Sequence, residues 1–197
     1  MSVQNEPQSS PPRDHSARTA PGREAGQDTG EDPLSIGAPR STDGAAVHDL
    51  IAACPPLDGN SLYANLLQCT HFTDTCAIAR LGDEVVGWVS GYIPPQEPGT
   101  YFLWQVAVGE KARGRKLPKR LVADLFSRPA CQSVRYLKTT ITPDNEASWG
   151  LFRSLARWLG ADLQDEVFFD RDRHFQGRHD SEILVTIGPF EPPGAVT

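Results

Sequence analysis

The sequence is short of three things: long apolar runs, cysteine pairs and positive charge. Each shortage removes a class of protein. A bilayer-crossing helix needs about 20 consecutive apolar residues, and no stretch approaches that length. The start Met-Ser-Val-Gln-Asn-Glu-Pro has neither the basic end nor the apolar core of a secretory leader. The expectation is a cytoplasmic protein with no membrane partner. Cys54, Cys69, Cys76 and Cys131 form no Cys-x-x-Cys pair and have no His at metal-finger spacing, so they read as reduced packing residues and no metal is expected. His71, close to Cys69, is a local partner for a thiol nucleophile but carries little weight, because such a pair has to be aligned by the fold. With 19 Lys and Arg against 25 Asp and Glu, the net charge of −6 argues against a nucleic-acid partner and makes a local basic cluster stand out.

What is present fits one domain of a 197-residue chain. Residues 1–32 are crowded with Pro, Gly, Ser and charged residues; ordering them costs entropy that no buried surface offsets, so they are expected to be a disordered extension. Residues 33–190 carry the periodic patterns of a domain, and residues 191–197 form a tail.

Within the domain, residues 34–38 suit a short strand. Thr42 or Asp43 is placed to cap a helix running to about Cys54, with Val47, Leu50 and Ile51 as its apolar stripe and Pro55-Pro56 as its stop. Turn and cap residues from Leu57 lead into a second helix. Residues 75–81 and 84–92 flank Gly82-Asp83 as a hairpin. The central stretch follows: the strand-like run Tyr101-Phe102-Leu103-Trp104-Gln105-Val106-Ala107-Val108, the basic loop Arg113-Gly114-Arg115-Lys116, and a helix over residues 117–126. Residues 134–141 alternate as a strand, Asp144-Asn145-Glu146 opens a helix that Gly160 closes, and residues 164–169 and 183–187 supply the last two strands. The first strands read as antiparallel, and the two linked by a helix as parallel.

A strand, a basic loop and a helix start together make an anion site: helix N-terminal N–H groups attract phosphate, and Arg113, Arg115 and Lys116 add mobile charge. A pyrophosphate-bearing ligand fits that chemistry, although a loop of this composition taken alone is more often a solvated turn.

The order βααβββαβαββ with that loop resembles the GNAT superfamily of N-acetyltransferases. More narrowly, Asp58-Gly59-Asn60-Ser61-Leu62-Tyr63, Phe102-Leu103-Trp104-Gln105-Val106-Ala107-Val108, Thr140-Ile141-Thr142-Pro143-Asp144-Asn145-Glu146-Ala147-Ser148 and Ile187-Gly188-Pro189-Phe190 are similar to the diaminobutyrate acetyltransferase family of ectoine synthesis. The resemblance implies an α/β (α+β) fold: a mixed, mostly antiparallel sheet with helices on both faces, splayed between strands 4 and 5. It implies acetyl-CoA as co-substrate, L-2,4-diaminobutyrate as acceptor, acetylation at the 4-amino group, a homodimer and a cytoplasmic location.

The resemblance also implies site residues. The fourth strand carries a bulge and parts from the fifth, so that Val106 and Val108 offer backbone groups to the pantetheine arm and the thioester oxygen; without the resemblance they are core β-branched residues. Arg113, Gly114, Arg115, Lys116, Leu117 and Pro118 form the pyrophosphate loop, departing from the family pattern where Lys116 and Pro118 stand at small-residue positions. Pro118 removes one N–H, at a place where proline is otherwise tolerated. Asn145 faces the CoA arm, or is simply a helix cap. Where many members carry a Tyr that protonates the leaving thiolate, this chain has Phe152, which cannot donate a proton. Asp58, Tyr63, Trp104, His179 and Glu182 are the diaminobutyrate-facing set, with His179, Glu182 and Tyr63 as candidate proton-transfer groups and His174 a weaker one. Read blandly, Asp58 is a turn residue, Tyr63 and Trp104 are core aromatics, and His179 and Glu182 are surface residues. Alternatives are a same-fold acetyltransferase for another small diamine or amino acid, a non-catalytic acyl-CoA-binding sensor, and an α/β interaction domain without a ligand.

Overall fold

A computed structural model of the protein describes residues 33–193 apart from Pro56 and Asp58. The extension expected over residues 1–32, the helix stop at Pro56, the candidate site residue Asp58 and the tail end at residues 194–197 lie outside the described residues.

The hairpin expected around Gly82 forms from β2 (Ala77–Leu81) and β3 (Glu84–Tyr92), with Gly82 at φ +55° in the turn. β1 (Leu34–Gly37) pairs with β2, and β4 (Thr100–Val108) pairs with β3, all antiparallel. β5 (Tyr136–Ile141) lies parallel to β4, and β6 (Leu163–Phe169) and β7 (Glu182–Ile187) complete a seven-stranded sheet in the order β1-β2-β3-β4-β5-β7-β6.

Two helices cover each face. α1 (Gly44–Ala52) and α2 (Leu62–His71) enclose a smaller core in which Val47, Leu50, Ile51 and Cys69 meet Ile78 and Trp88. α1 and α2 approach so closely that a Cβ at Gly44 would lie 2.7 Å from Leu66 Cδ2. α3 (Leu117–Ser127) and α4 (Glu146–Leu159) cover the other face, where Leu117, Leu121, Leu125, Phe126, Phe152 and Leu155 are buried against β3, β4 and β5. Each buried Leu here contributes about 1.5–3 kcal/mol. The block Ile187-Gly188-Pro189-Phe190 belongs to this core: the Phe190 ring stacks 5.4 Å from Phe126, and its N–H donates to Arg135 O at 2.9 Å. All four cysteines are buried and free, and burial raises the thiols of Cys69 and Cys131 to about 11 and that of Cys76 to about 12. Thiols held that high are packing groups rather than nucleophiles.

The start of α1 differs from the sequence expectation. A three-residue 3₁₀ turn, Ser41–Asp43, precedes it, and the Asp43 side chain does not cap the helix. It turns back to accept from the Arg40 N–H at 2.7 Å and from Arg80 Nη2 at 2.6 Å. A buried carboxylate is held more strongly by a guanidinium than by helix N–H groups alone.

Candidate active site

β4 is irregular where it matters. Its register against β3 sets Gln105 opposite Ser90 but Leu103 opposite Gly91, so Trp104 is an extra residue, a β-bulge. The bulge switches faces: Leu103 packs into the α3/α4 core and Ala107 into the α1/α2 core, which strict alternation would place on one side. Gly91 permits this, since a Cβ there would overlap the Tyr101 ring and come 2.6 Å from Phe102 O. The Tyr101 hydroxyl donates to Thr75 O at 2.8 Å and holds that ring in place.

β4 and β5 pair over only three positions, Thr100 with Tyr136, Tyr101 with Leu137 and Phe102 with Lys138. Beyond Phe102, β5 continues alongside β7 as far as Ile141 opposite Ile183, while β4 leaves it. The sheet is splayed there. The Gly109 N–H donates to Val86 O at 2.9 Å, which fixes the ladder's alternation: Gln105 and Ala107 direct their N–H groups to β3, and Val106 and Val108 direct theirs into the splay. The two valines expected to act through the backbone therefore present N–H groups to open space.

The same end of the sheet gathers the other expected elements. Because β4 and β5 are parallel and β7 starts beside the end of β5, the loop after β4, the start of α4 and the start of β7 all fall at the splayed end. In the loop, Arg113, Gly114 and Lys116 are exposed, Arg115 is half-buried, and Lys111 forms an ion pair with Glu84 at 2.6 Å. Lys116 is the N-cap of α3 at φ +54°, in the left-handed region. Sequence reading leaves the fit of Lys116 open; the backbone shows why the family pattern places a small residue there, since glycine adopts this conformation without steric cost. Pro118 sits in the first turn, and the N–H groups of Lys116, Leu117 and Lys119 have no acceptor within the helix. Leu117 itself is buried, and a Cβ at Gly87 would lie 2.6 Å from its Cδ2, so the loop is seated on β3.

Asn145 is the N-cap of α4: its Oδ1 accepts from the Ser148 N–H at 3.1 Å. Phe152 is buried in the core, where it supplies packing and no proton.

On the acceptor side, Trp104 is 55% exposed and, with Gln68, Phe72, Gly91 and Tyr92, lines a cavity of ≈ 280 Å³. Tyr63, in the first turn of α2, is 70% exposed and lies outside that lining, as do His179 and Glu182. Ser61 caps α2 by accepting from the Ala64 N–H at 3.1 Å, and Asn60 Nδ2 donates to Gln105 Oε1 at 2.8 Å. That bond ties the segment preceding α2 to the residue after the bulge. Sequence reading missed both Asn60 and Gln68, which look like ordinary turn and helix-surface residues.

Glu182 opens β7 opposite Phe169, so residues 170–181 form a loop at the splayed end. Rings of this loop pack on one another at the surface: Phe169 lies 5.6 Å from the His174 ring and 6.1 Å from Phe175, and Phe175 lies 4.9 Å from His179. The Asp170 N–H donates to His174 Nδ1 at 2.8 Å, so neutral His174 carries its proton on Nε2 and its lone pair is occupied. His179 is held the other way: its Nδ1 lies 2.8 Å from Asp180 O, a group that only accepts, so this nitrogen carries a proton. Among the described residues, no three His, Cys, Asp or Glu side chains are grouped to hold a metal ion, and no helix is long and apolar enough to cross a membrane.

The family model for the acetyltransferase (GNAT) family matches residues 45–156, more than half of the sequence. The chain belongs to the acetyltransferase (GNAT) family. It is 55% identical to the L-2,4-diaminobutyric acid acetyltransferase of Chromohalobacter salexigens over 81% of its own length and 83% of the relative's. It is 51% identical to the enzyme of that name from Methylotuvimicrobium alcaliphilum, over 80% of its length and 92% of the relative's. Among solved structures, diaminobutyrate acetyltransferase EctA from Paenibacillus lautus, in complex with its substrate L-2,4-diaminobutyric acid and coenzyme A, superposes with a TM-score of 0.76 at 34% identity, over 82% of this chain and 97% of that one. A TM-score of 0.76 over most of both chains shows that this chain has the fold of that structure.

Proposed function

We infer that the chain transfers the acetyl group of acetyl-CoA to the 4-amino group of L-2,4-diaminobutyrate, giving N4-acetyl-2,4-diaminobutyrate, the first committed step toward ectoine. The carrying observation is the splay: two β4 N–H groups, from Val106 and Val108, face open space beside a basic helix start, in a chain 51–55% identical to diaminobutyric acid acetyltransferases. The chemical fit to coenzyme A is direct. Arg113, Arg115, Lys116 and the α3 N–H groups hold the pyrophosphate, Asn145 meets the arm, and β4 pairs with the pantetheine amides.

In the reaction, a neutral 4-amine attacks the thioester carbonyl; the C–N bond forms and the C–S bond breaks as CoA thiolate leaves. An N–H of β4 donates to the carbonyl oxygen as charge develops on it. The substrate ammonium, ordinarily with a pKa of about 10, first yields its proton to His179 or Glu182, directly or through water. Asp58 and Glu182 pair with the ammonium groups, and Trp104 and Tyr63 flank the aliphatic chain. Phe152 offers no acid, and a thiol pKa of about 8.5 lets the thiolate leave unassisted. Transfer is direct, without an acetyl-enzyme. The chain works as a cytoplasmic homodimer; the exposed Val167, Phe168 and Phe169 of β6 support a partner surface.

The test is release of CoA thiol from acetyl-CoA with L-2,4-diaminobutyrate beside ornithine, lysine and putrescine, with the acetylated position read by mass spectrometry. Strong preference for diaminobutyrate and N4 product supports the reading; broad turnover supports a general diamine acetyltransferase, and binding without turnover an acyl-CoA sensor. An acetylated enzyme isolated from acetyl-CoA alone overturns direct transfer. Sedimentation of the full chain tests the dimer.

A further inference from the structure

Among the described residues three buried side-chain atoms lack a hydrogen-bond partner: Gln68 Nε2, Trp88 Nε1 and Ser90 Oγ. Of these residues only Gln68 lines the cavity beside Trp104. A buried donor left unpaired destabilises the free protein, so an acceptor brought to it by a ligand is favoured.

Its orientation is set from behind. Gln68 is 4% exposed, and its Oε1 accepts from Asn65 Nδ2 at 3.1 Å. Asn65 is fully buried, and its Oδ1 lies 3.3 Å from His48 Nδ1. The relay His48–Asn65–Gln68 thus engages the carbonyl end of Gln68 and leaves the NH₂ end over. The rest of the cavity wall is Phe72, Gly91, Tyr92 and Trp104, three aromatic rings and a glycine.

An amide NH₂ has no lone pair for an ammonium group, so of the acceptor's three polar groups only the carboxylate can satisfy it. We propose that Gln68 Nε2 donates to the α-carboxylate of the amino-acid acceptor and is the residue that distinguishes it from a simple diamine. The inference rests on the proposed reaction and deepens it. Asn65 and His48 are positioning residues acting through Gln68.

The test compares L-2,4-diaminobutyrate with 1,3-diaminopropane, the same skeleton without the carboxylate, in Gln68→Glu and Gln68→Leu. Gln68→Glu keeps an acceptor for Asn65, removes the donor and adds a repelling charge; Gln68→Leu removes the polar group. For each protein kcat and KM are measured for diaminobutyrate, and either kcat/KM or, without turnover, the inhibition constant for 1,3-diaminopropane. The expected result is a 10–100-fold fall in kcat/KM for diaminobutyrate, mostly in KM, with the acetyl-CoA KM unchanged and the diaminopropane constant unchanged in Gln68→Leu and unchanged or improved in Gln68→Glu. Should Gln68→Leu not fold, Gln68→Glu alone decides. An equal loss for both amines, a rise confined to the acetyl-CoA KM, or no loss at all overturns the assignment. A wild-type chain that does not acetylate diaminobutyrate overturns the proposed reaction instead, an outcome visible before any variant is made.

Discussion

Asn60 Nδ2 donates to Gln105 Oε1 at 2.8 Å, joining the turn before α2 to the strand residue just past the Trp104 bulge. Gln105 is buried, and its strand neighbour Trp104 stands in the cavity wall. The bond therefore links the turn before α2 to the strand that carries Trp104. Asn60→Ala is expected to lower stability by about 1–2 kcal/mol, the cost of a buried polar partner lost. It should also raise KM for diaminobutyrate several-fold while leaving KM for acetyl-CoA unchanged. Denaturant titration and two-substrate kinetics check both; parallel rises in the two constants would mean a general loosening of the fold.

Asp43 and Arg80 tie the start of α1 to β2. Burial raises the Asp43 carboxyl, but the hydrogen bonds from Arg80 and the Arg40 N–H, with their charges, outweigh it and hold the group below its ordinary value. A depressed folded value means stability that is present above the ordinary carboxylate pKa of about 3.9 and lost as pH falls through the folded value. Asp43→Asn should cost about 1–3 kcal/mol at pH 7, and the gap to wild type should narrow as pH falls through the depressed folded value. Urea unfolding across pH 2–7 reads this; a gap independent of pH would assign the effect to packing.

Element order and strand directions were legible because hydrophobic period and Gly/Pro punctuation agree along this chain. Ends were less so: residues 75–76 and 134–135 carry strand-like side chains but lie outside β2 and β5, since the backbone there bonds elsewhere, as the Arg135 N–H does to Gly99 O at 2.8 Å. The bulge was implied by the resemblance to the acetyltransferase fold, but the run Phe102-Leu103-Trp104-Gln105-Val106 does not show it by itself, because it arises from Gly91 closing on Tyr101, a contact between strands. Gln68 was missed for a related reason: in an amphipathic helix a polar residue reads as solvent-facing, and only the packing of α1 and α2 over the sheet buries it.

Lys116 stands where the family pattern favours a small residue, and its φ of +54° states the physical conflict. A β-carbon in that region costs about 1–2 kcal/mol, while glycine adds about 0.4–1 kcal/mol of unfolded-chain entropy. Lys116→Gly is therefore expected to gain about 0.5 kcal/mol of stability. Its effect on coenzyme binding should be the reverse: removing the charge raises KM for acetyl-CoA several-fold, and added salt shrinks the difference between variant and wild type. A lower KM in the variant would show that loop geometry, rather than charge, limits binding.

His179 and His174 share one loop and differ in which ring nitrogen holds the proton, and the difference predicts their roles. The Asp180 carbonyl holds a proton on His179 Nδ1, whereas the Asp170 N–H occupies the His174 Nδ1 lone pair. If His179 takes the ammonium proton, His179→Gln should lower kcat by about 10²–10⁴-fold and abolish the acid limb of the pH profile of kcat/KM. His174→Gln should leave that limb in place and act through loop stability alone, because neutral His174 has no second lone pair to offer. The two profiles, measured under saturating acetyl-CoA, separate the assignments. An acid limb that survives in His179→Gln but vanishes in Glu182→Gln would transfer the proton-accepting role to the carboxylate at the start of β7.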